Sequence, residues 1–235
     1  MKVALITGAS RGLGRALSEE LAARGWSLVI DAREADALET AAASMRRRLG
    51  AAGSVTAIAG DVANDAHRVE LTAAVGKLGR LDLLVNNAST LGLSPLVRLE
   101  RFGLDDLRRV FEVNVLAPLA LVQSLLPLLC RSPRATVVNL TSDAAVEHYD
   151  TWGGYGSSKA ALDHLTATLD VEVRAVRFLA LDPGDMRTVM HQDAFPGEDI
   201  SDRPLPEAVV PALLELVGGD FAGGRYRVSE MGGER

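Results

Sequence analysis

Three side chains stand at spacings that could do proton chemistry. Tyr155 and Lys159 are four residues apart, and Ser142 lies thirteen residues before the tyrosine. From Tyr155 onward, Ala161, Leu162, Leu165 and Leu169 follow a helical apolar period. Residues i and i+4 share a helix face, so the phenol and the ammonium reach one small volume. A free tyrosine, with a pKa of about 10, is a poor acid or base at neutral pH, and a neighbouring cation favours its phenolate. A tyrosine so placed can pass a proton to or from a substrate oxygen. Taken alone, the same spacing also fits a solvated helix face.

The elements that would have to position these groups begin at the first residues. A short β-rich run over 2–6 leads into Thr7-Gly8-Ala9-Ser10-Arg11-Gly12-Leu13-Gly14, and an amphipathic segment follows. Strand, glycine turn and helix open a dinucleotide-binding fold. Gly8 permits a tight turn, Gly12 lets backbone approach a phosphate, and Gly14 lets helix and strand pack closely. The pyrophosphate would sit on the free N–H groups at the helix start. The next strand, 27–30, ends at Asp31-Ala32-Arg33, where an acid would accept from a ribose 2′-hydroxyl and an arginine would take a 2′-phosphate. Both residue types are present.

Short β-rich runs then alternate with amphipathic helices. The spacing predicts a helix over 34–49, a strand over 54–60 and a helix to about Gly79. Strand 81–85 follows, leading into Asn86-Asn87-Ala88-Ser89. A long helix is expected over 104–130, carrying Asn114 and bent or interrupted by Pro118 and Pro127. Strand 135–141 delivers Ser142 at its C-terminal end, the end at which open α/β sheets bind ligands. After the Tyr155 helix come strand 177–181, an aperiodic substrate-side loop over about 185–205, a helix over 206–217 and a short strand near 226–228. This alternation calls for an α/β fold, a doubly wound parallel sheet with both faces covered, in one domain spanning 1–235.

Composition narrows the function classes. Hydrophobic residues are 48% and charged residues 24%, a balance that suits a soluble globular chain. The net charge of −6 argues against nucleic acid as the main partner. Arg46-Arg47-Arg48 reads as a solvated helix face. The one cysteine, Cys130, leaves no internal disulfide and no cysteine-based metal cluster, and no metal site is expected. No run is read as membrane-spanning, and a cytoplasmic location is expected.

Taken together, Thr7–Gly14, Asp61-Val62, Asn86-Asn87-Ala88, Asn114, Ser142, Tyr155, Lys159 and Pro183-Gly184…Thr188 resemble the short-chain dehydrogenase/reductase family in order and spacing. The resemblance covers nearly the whole chain and implies a seven-stranded parallel Rossmann sheet. It implies Tyr155 as the general acid of reduction and base of oxidation. Ser142 would hold the substrate carbonyl oxygen, Lys159 would bind the nicotinamide ribose and lower the tyrosine pKa, and Asn114 would hold a relay water. The implied cofactor contacts are Gly8, Ser10, Arg11, Gly12, Leu13, Gly14, Arg33, Asp61, Val62, Asn87, Ala88, Tyr155, Lys159, Pro183, Gly184 and Thr188. Among them, Asp61 would bond the adenine amine with Val62 against its ring, Asn87 would lie near the adenosine ribose, and Thr188 would meet the carboxamide.

In that alignment the NAD-selecting acid falls at Ala32, with Asp31 one residue early. Arg11 and Arg33 occupy phosphate-selecting places and favour NADP(H); Asp31 keeps NAD(H) as the alternative. Ser89 departs from the usual glycine of the Asn-Asn-Ala-Gly motif. The ending GGRYRVSEMGGER departs from the usual close, which points to a homodimer, through helices 104–130 and 155–173, before a tetramer. Substrate-pocket candidates are Asp143, Ala144, His148, Trp152, Asp185, Met186, Met190 and His191. The expected activity is hydride transfer between NADP(H) and a ketone or aldehyde, or the matching alcohol. An NAD-linked alcohol dehydrogenase and a dinucleotide sensor without turnover are the alternatives.

Overall fold

A computed structural model describes residues 1–49 and 53–231. Its centre is a seven-stranded sheet in the order β3-β2-β1-β4-β5-β6-β7, with every neighbouring pair parallel. The strands are β1 Val3–Ile6, β2 Ser27–Ala32, β3 Val55–Ala59, β4 Leu83–Asn86, β5 Ala135–Leu140, β6 Val176–Asp182 and β7 Gly224–Arg227. The chain builds outward from β1 to β3, then restarts at β4 on the other side of β1. That reversal opens a crevice at the carboxyl ends of β1 and β4, where such sheets take ligands.

Alternation along the strands explains why both faces are covered. Ala4, Ile6, Leu28, Ile30, Leu83 and Val85 face one apolar core; Val3, Leu5, Val29 and Leu84 face the other. Helix α1 (Gly12–Ala23), α2 (Ala35–Arg48) and, much later in the chain, Val210–Gly218 supply the first core. Helix α3 (Asp65–Leu78) and the later Ala117–Leu129 supply the second. Neither face of the central strands is wetted, so they read as continuous apolar runs. Local signals fix the helix ends. Asn64 caps α3 by accepting from the Ala66 N–H, and Gly79 closes it at φ 82°.

The long helix expected over 104–130 is three pieces: α4 (Leu104–Phe111), a π turn (Glu112–Leu116) and α5 (Ala117–Leu129). The break falls upstream of Pro118. Proline has no N–H, so the usual donor to the Asn114 carbonyl four residues back is missing, and the helix widens there, with Ala117 N–H reaching Glu112. Pro127 stays inside α5 without ending it. End to end, Leu104–Leu129 is 26 residues and holds an 18-residue window with a mean hydropathy of 1.6, long and apolar enough to cross a membrane, contrary to the sequence reading. Half of that window is buried in the protein, and Leu121, Leu125 and Leu129 pack in the second core.

Helix α6 (Gly153–Glu172) starts two residues before Tyr155. The segment expected to be aperiodic holds a short helix, α7 (Val189–Ala194), capped by Thr188, whose Oγ1 accepts from the His191 N–H at 3.1 Å. The helix expected over 206–217 is a 3-10 turn, Pro206–Ala208, followed by α8 (Val210–Gly218). The last strand ends at Arg227, and Val228 begins a short α9 (Val228–Met231).

Candidate active site

The turns after β1 and β4 are clasped together. Thr7 Oγ1 accepts from the Asn87 and Ala88 N–H groups at 3.0 and 2.9 Å. In return, Asn87 Nδ2 donates to the carbonyls of Thr7 and Gly8 at 2.8 and 3.1 Å. The turn itself needs glycine: Gly8 and Gly12 have φ of +67° and +57°. A Cβ on Gly14 would stand 2.5 Å from Asn87 Nδ2 and 2.6 Å from the Gly8 carbonyl. Asn87, expected near the adenosine ribose, thus braces the glycine turn while also lining the cavity beside it.

Asp31 does not point outward. Its Oδ1 accepts from the Gly8 N–H at 2.9 Å, and its Oδ2 is 3.0 Å from His67 Nε2. Both side chains are buried, and His67 packs where a Cβ on Gly60 would collide with its ring. Burial pushes the Asp31 carboxyl up, opposed by His67 and the Gly8 N–H. Arg11 and Arg33 are exposed. Asp61 accepts from the Ala63 N–H at 2.9 Å and pairs with Arg109 of α4. Its partial burial works against ionisation, but the Ala63 N–H, Arg109 and Arg33 prevail and hold its carboxyl below the usual range. Val62 is buried among Val113, Ala117 and Ala88.

Beyond β5 the chain turns through a 3-10 segment, Asp143–Ala145. Gly156 brings the start of α6 against it, since a Cβ there would lie 2.5 Å from the Ala144 carbonyl. This approach sets Ser142, Tyr155 and Lys159 around one cavity. Tyr155 is 8% exposed and Lys159 2%. Lys159 Nζ donates to the Leu140 carbonyl at 2.8 Å and stands 5.4 Å from the Tyr155 ring centre. Asn114, in the π turn, spends its amide on structure. Its Oδ1 accepts from the Thr90 N–H and the Ser89 hydroxyl at 2.9 and 3.1 Å, and its Nδ2 donates to the Thr90 carbonyl and Ser158 Oγ at 2.9 and 3.0 Å.

The direction of the tyrosine shift differs from the sequence expectation. Burial pushes the Tyr155 phenol well above its ordinary value. The hydroxyls of Ser89 and Ser142 pull it back down, while Asp182 and Asp143 push it further up. Burial also lowers Lys159 to about 8, opposed by Asp163. Desolvation is the largest cause of both shifts.

Of the expected pocket residues, Asp143, Trp152, Asp185, Met186, Met190 and His191 line the cavity, as do Leu13, Pro183, Gly184 and Thr188 from the expected cofactor set. Gly12 and Thr188 are neighbours, a Cβ on Gly12 being 3.6 Å from Thr188 Cγ2. Two pocket expectations do not hold. His148 is exposed outside the cavity, and Ala144 is buried behind Tyr155 with Leu91 and Ala194. Two residues missed in the sequence matter here. Ser89, read only as a change of turn, lines the cavity and joins the Tyr155 phenol to Asn114. Arg225 of β7 donates to Asp163 Oδ2, to the Ser142 carbonyl and to Asp182 Oδ2 at 3.0, 3.1 and 3.2 Å. The first carried a signal in its departure from the motif; the second carried none, being 62 residues from Asp163.

A glycine turn at the switch point of a parallel sheet, with serine, tyrosine and lysine gathered one strand away, defines an oxidoreductase of the Rossmann type. The family model for short chain dehydrogenases matches residues 2–199. The chain belongs to that family. It is 37% identical over 178 residues to the rhamnolipids biosynthesis 3-oxoacyl-(acyl-carrier-protein) reductase of Pseudomonas aeruginosa, covering 73% of this chain and 67% of the relative. Among solved structures, an alcohol dehydrogenase from the archaeon Thermococcus sibiricus complexed with 5-hydroxy-NADP superposes with a TM-score of 0.84. The two are 30% identical, with 97% of this chain and 95% of the other covered. A short chain dehydrogenase structure from Escherichia coli CFT073 complexed with NADPH gives 0.87 at 27% identity, covering 97% and 96%.

Gly14→Ala drives a methyl into the Asn87 amide and the Gly8 carbonyl. It should cost about 1–3 kcal/mol in urea unfolding and abolish quenching of NADPH fluorescence on titration. Lys159→Met removes a buried ammonium. With the folded pKa near 8 against 10.5 when unfolded, the native lysine costs about 3 kcal/mol below pH 8, and that cost fades as pH rises toward 10.5. The variant should therefore melt higher than the parent at pH 7, with the gap closing by pH 10, while losing turnover.

Proposed function

We propose that this chain is an NADP(H)-dependent carbonyl reductase, or the corresponding alcohol dehydrogenase, with Tyr155 as its general acid and base. The observation that carries this reading is the meeting of the Tyr155 phenol, the Ser142 hydroxyl and the Lys159 ammonium at one cavity beside the glycine turn. The cradle suits a dinucleotide: Gly8 and Gly14 let the turn and the helix start close on the loop carrying Asn87, and Gly12 leaves open space beside Thr188. When bound, the nicotinamide supplies or accepts the hydride.

The rest falls to the protein. Ser142 donates its hydroxyl hydrogen to the substrate carbonyl oxygen and stabilises charge developing there. Tyr155, its phenol raised by burial, carries its proton at neutral pH and donates it to that same oxygen as negative charge builds. Lys159, held by the Leu140 carbonyl, orients the nicotinamide ribose, and Ser89 keeps a hydroxyl against the phenol as its proton leaves. Trp152, Met186 and Met190 offer apolar contact to the substrate body.

For the cofactor, the Arg11 and Arg33 side chains are exposed and make no hydrogen bond or salt bridge within the described residues, Arg33 acting on Asp61 only at longer range, which leaves them available to a 2′-phosphate. Asp31, the residue on which an NAD reading depends, is occupied by Gly8 and His67. The structures of similar proteins complexed with NADPH and 5-hydroxy-NADP support the same choice. Leu104, Leu116 and Val171 leave apolar surface exposed on the α4–α5 and α6 side, which supports a homodimer through these helices; light scattering behind size exclusion reads its mass directly.

Titration of reduced-cofactor fluorescence should show NADPH binding at least about tenfold tighter than NADH, an advantage that Arg33→Ala removes. Tyr155→Phe should keep the NADPH affinity and lose about 100-fold or more of kcat. Equal affinity for both cofactors would overturn the NADP(H) assignment, and unimpaired turnover in Tyr155→Phe would overturn the assigned proton donor.

A further inference from the structure

Asp143 follows Ser142 directly, and its carboxylate is turned back onto the serine. Ser142 Oγ donates to Asp143 Oδ1 at 2.9 Å, and the Ala144 N–H donates to the same oxygen at 2.8 Å. Tyr149 O–H donates to Oδ2 at 2.9 Å. All three donors are neutral. Three aspartates line the cavity, and the other two have cationic company: Asp182 pairs with Arg225 and Arg227, and Asp185 lies near His191 and Arg203. Among the described residues Asp143 has no ion-pair partner within 4 Å. The wall beside the reacting hydroxyl therefore carries an acceptor with unspent capacity.

The serine has a single hydrogen to give. When that hydrogen turns to a substrate carbonyl oxygen, Asp143 Oδ1 loses a donor, and a partly buried anionic oxygen short of a donor is costly. A substrate carrying its own donor next to the carbonyl would restore it. In an α-hydroxy or α-amino ketone the carbonyl oxygen and the neighbouring heteroatom are separated by about one hydrogen-bond length, ~2.8 Å. Ser142 Oγ and Asp143 Oδ1 are 2.9 Å apart. The protein thus presents a donor beside an acceptor at the spacing at which such a substrate presents an acceptor beside a donor, and two parallel hydrogen bonds result. The 3-10 turn that holds both residues is packed against α6, so their spacing is fixed before substrate arrives.

We propose that Asp143 is a substrate-recognition carboxylate, selecting carbonyl compounds with a hydroxyl or ammonium group on the carbon adjacent to the carbonyl, or in the reverse direction 1,2-diols and 1,2-amino alcohols. The inference rests on the carbonyl-reducing role assigned above to this cavity. The C–O or C–N bond of the recognised group is neither made nor broken, so the electron and proton balance is that of carbonyl reduction by NADPH. An α-keto acid brings an anionic acceptor to the same place and is repelled.

The test compares four ketones on one aryl frame, acetophenone, 2-hydroxyacetophenone, 2-aminoacetophenone and benzoylformate, by NADPH oxidation with the wild-type protein, Asp143→Ala and Asp143→Asn. An α-substituent makes a carbonyl more electrophilic by itself, so the readout is the change in preference between proteins. The wild type should favour the hydroxy and amino ketones over acetophenone by about tenfold or more in kcat/KM and turn over benzoylformate least. In Asp143→Ala both preferences should shrink to about threefold or less. Asp143→Asn keeps an acceptor oxygen, so it should retain part of the hydroxyl preference, lose the ammonium preference and gain on benzoylformate. Wild-type preferences that persist in both variants, or a wild type with no preference, overturn the proposal. If acetophenone is reduced in a Tyr155-dependent way without such preference, only the role of Asp143 fails. If NADPH quenches on binding but none of the four is reduced, the carbonyl-reductase reading fails with it. Should the alanine variant not fold, the asparagine variant decides the matter.

Discussion

The clasp between the turns after β1 and β4 is the contact on which the rest of the carboxyl edge depends. A parallel sheet covered on both faces can display chemistry only at its edge, and this one opens where its strand order reverses. At that point two loops far apart in sequence must hold still against each other. Thr7 and Asn87 do so reciprocally, the threonine oxygen taking two backbone N–H groups and the asparagine amide giving two hydrogens back. Each group in the exchange is partly or wholly buried, so its loss would leave donors and acceptors unmatched. Asp31 and His67 support the same turn from beneath through the Gly8 N–H.

One strand over, the site is built on desolvation. Burial shifts Tyr155 and Lys159 both toward their neutral forms, the phenol raised and the ammonium lowered, though Lys159 keeps its charge at neutral pH. At neutral pH the cost to stability falls on the buried lysine, while the tyrosine stays protonated until an oxygen with developing charge stands against it. The groups that moderate this are hydroxyls, Ser89 and Ser142, and the carboxylates that oppose them, Asp143 and Asp182, are anchored on separate elements. The π turn contributes by a different route. It delivers Asn114 to the Ser89–Thr90 loop and to Ser158 on α6, tying the loop after β4 to the helix that carries the tyrosine.

Much of this was legible in the amino-acid order. Short apolar runs alternating with amphipathic helices required a parallel sheet, and the seven strands lie within a residue or two of where their patterns put them. The glycine spacing marked the phosphate turn, and Ser142, Tyr155 and Lys159 were visible as a set because a strand end and one helical turn, both local features, bring them close. The helix over 104–130 was read as bent or interrupted at Pro118 and Pro127; the interruption lies just upstream of Pro118, because the missing proline N–H is felt at the carbonyl four residues back, and Pro127 leaves α5 unbroken.

What the sequence determined by itself was everything set by short-range rules: the element order, the sheet class, the glycine turn and the pairing of Tyr155 with Lys159. Tertiary structure alone decided the rest. Asp31 stood at a position that could have met a ribose, and only the packing of α3 beneath the turn gave it to His67. Lys159 was expected to lower the tyrosine pKa, and burial, which no local pattern reports, raised it instead. Ser89 gained its place between the phenol and Asn114, and Arg225 its hold on Asp163, Asp182 and the Ser142 carbonyl, from elements dozens of residues away. Spacing along a chain fixes what can share a face; burial and long-range partners fix how each group is charged and where it points.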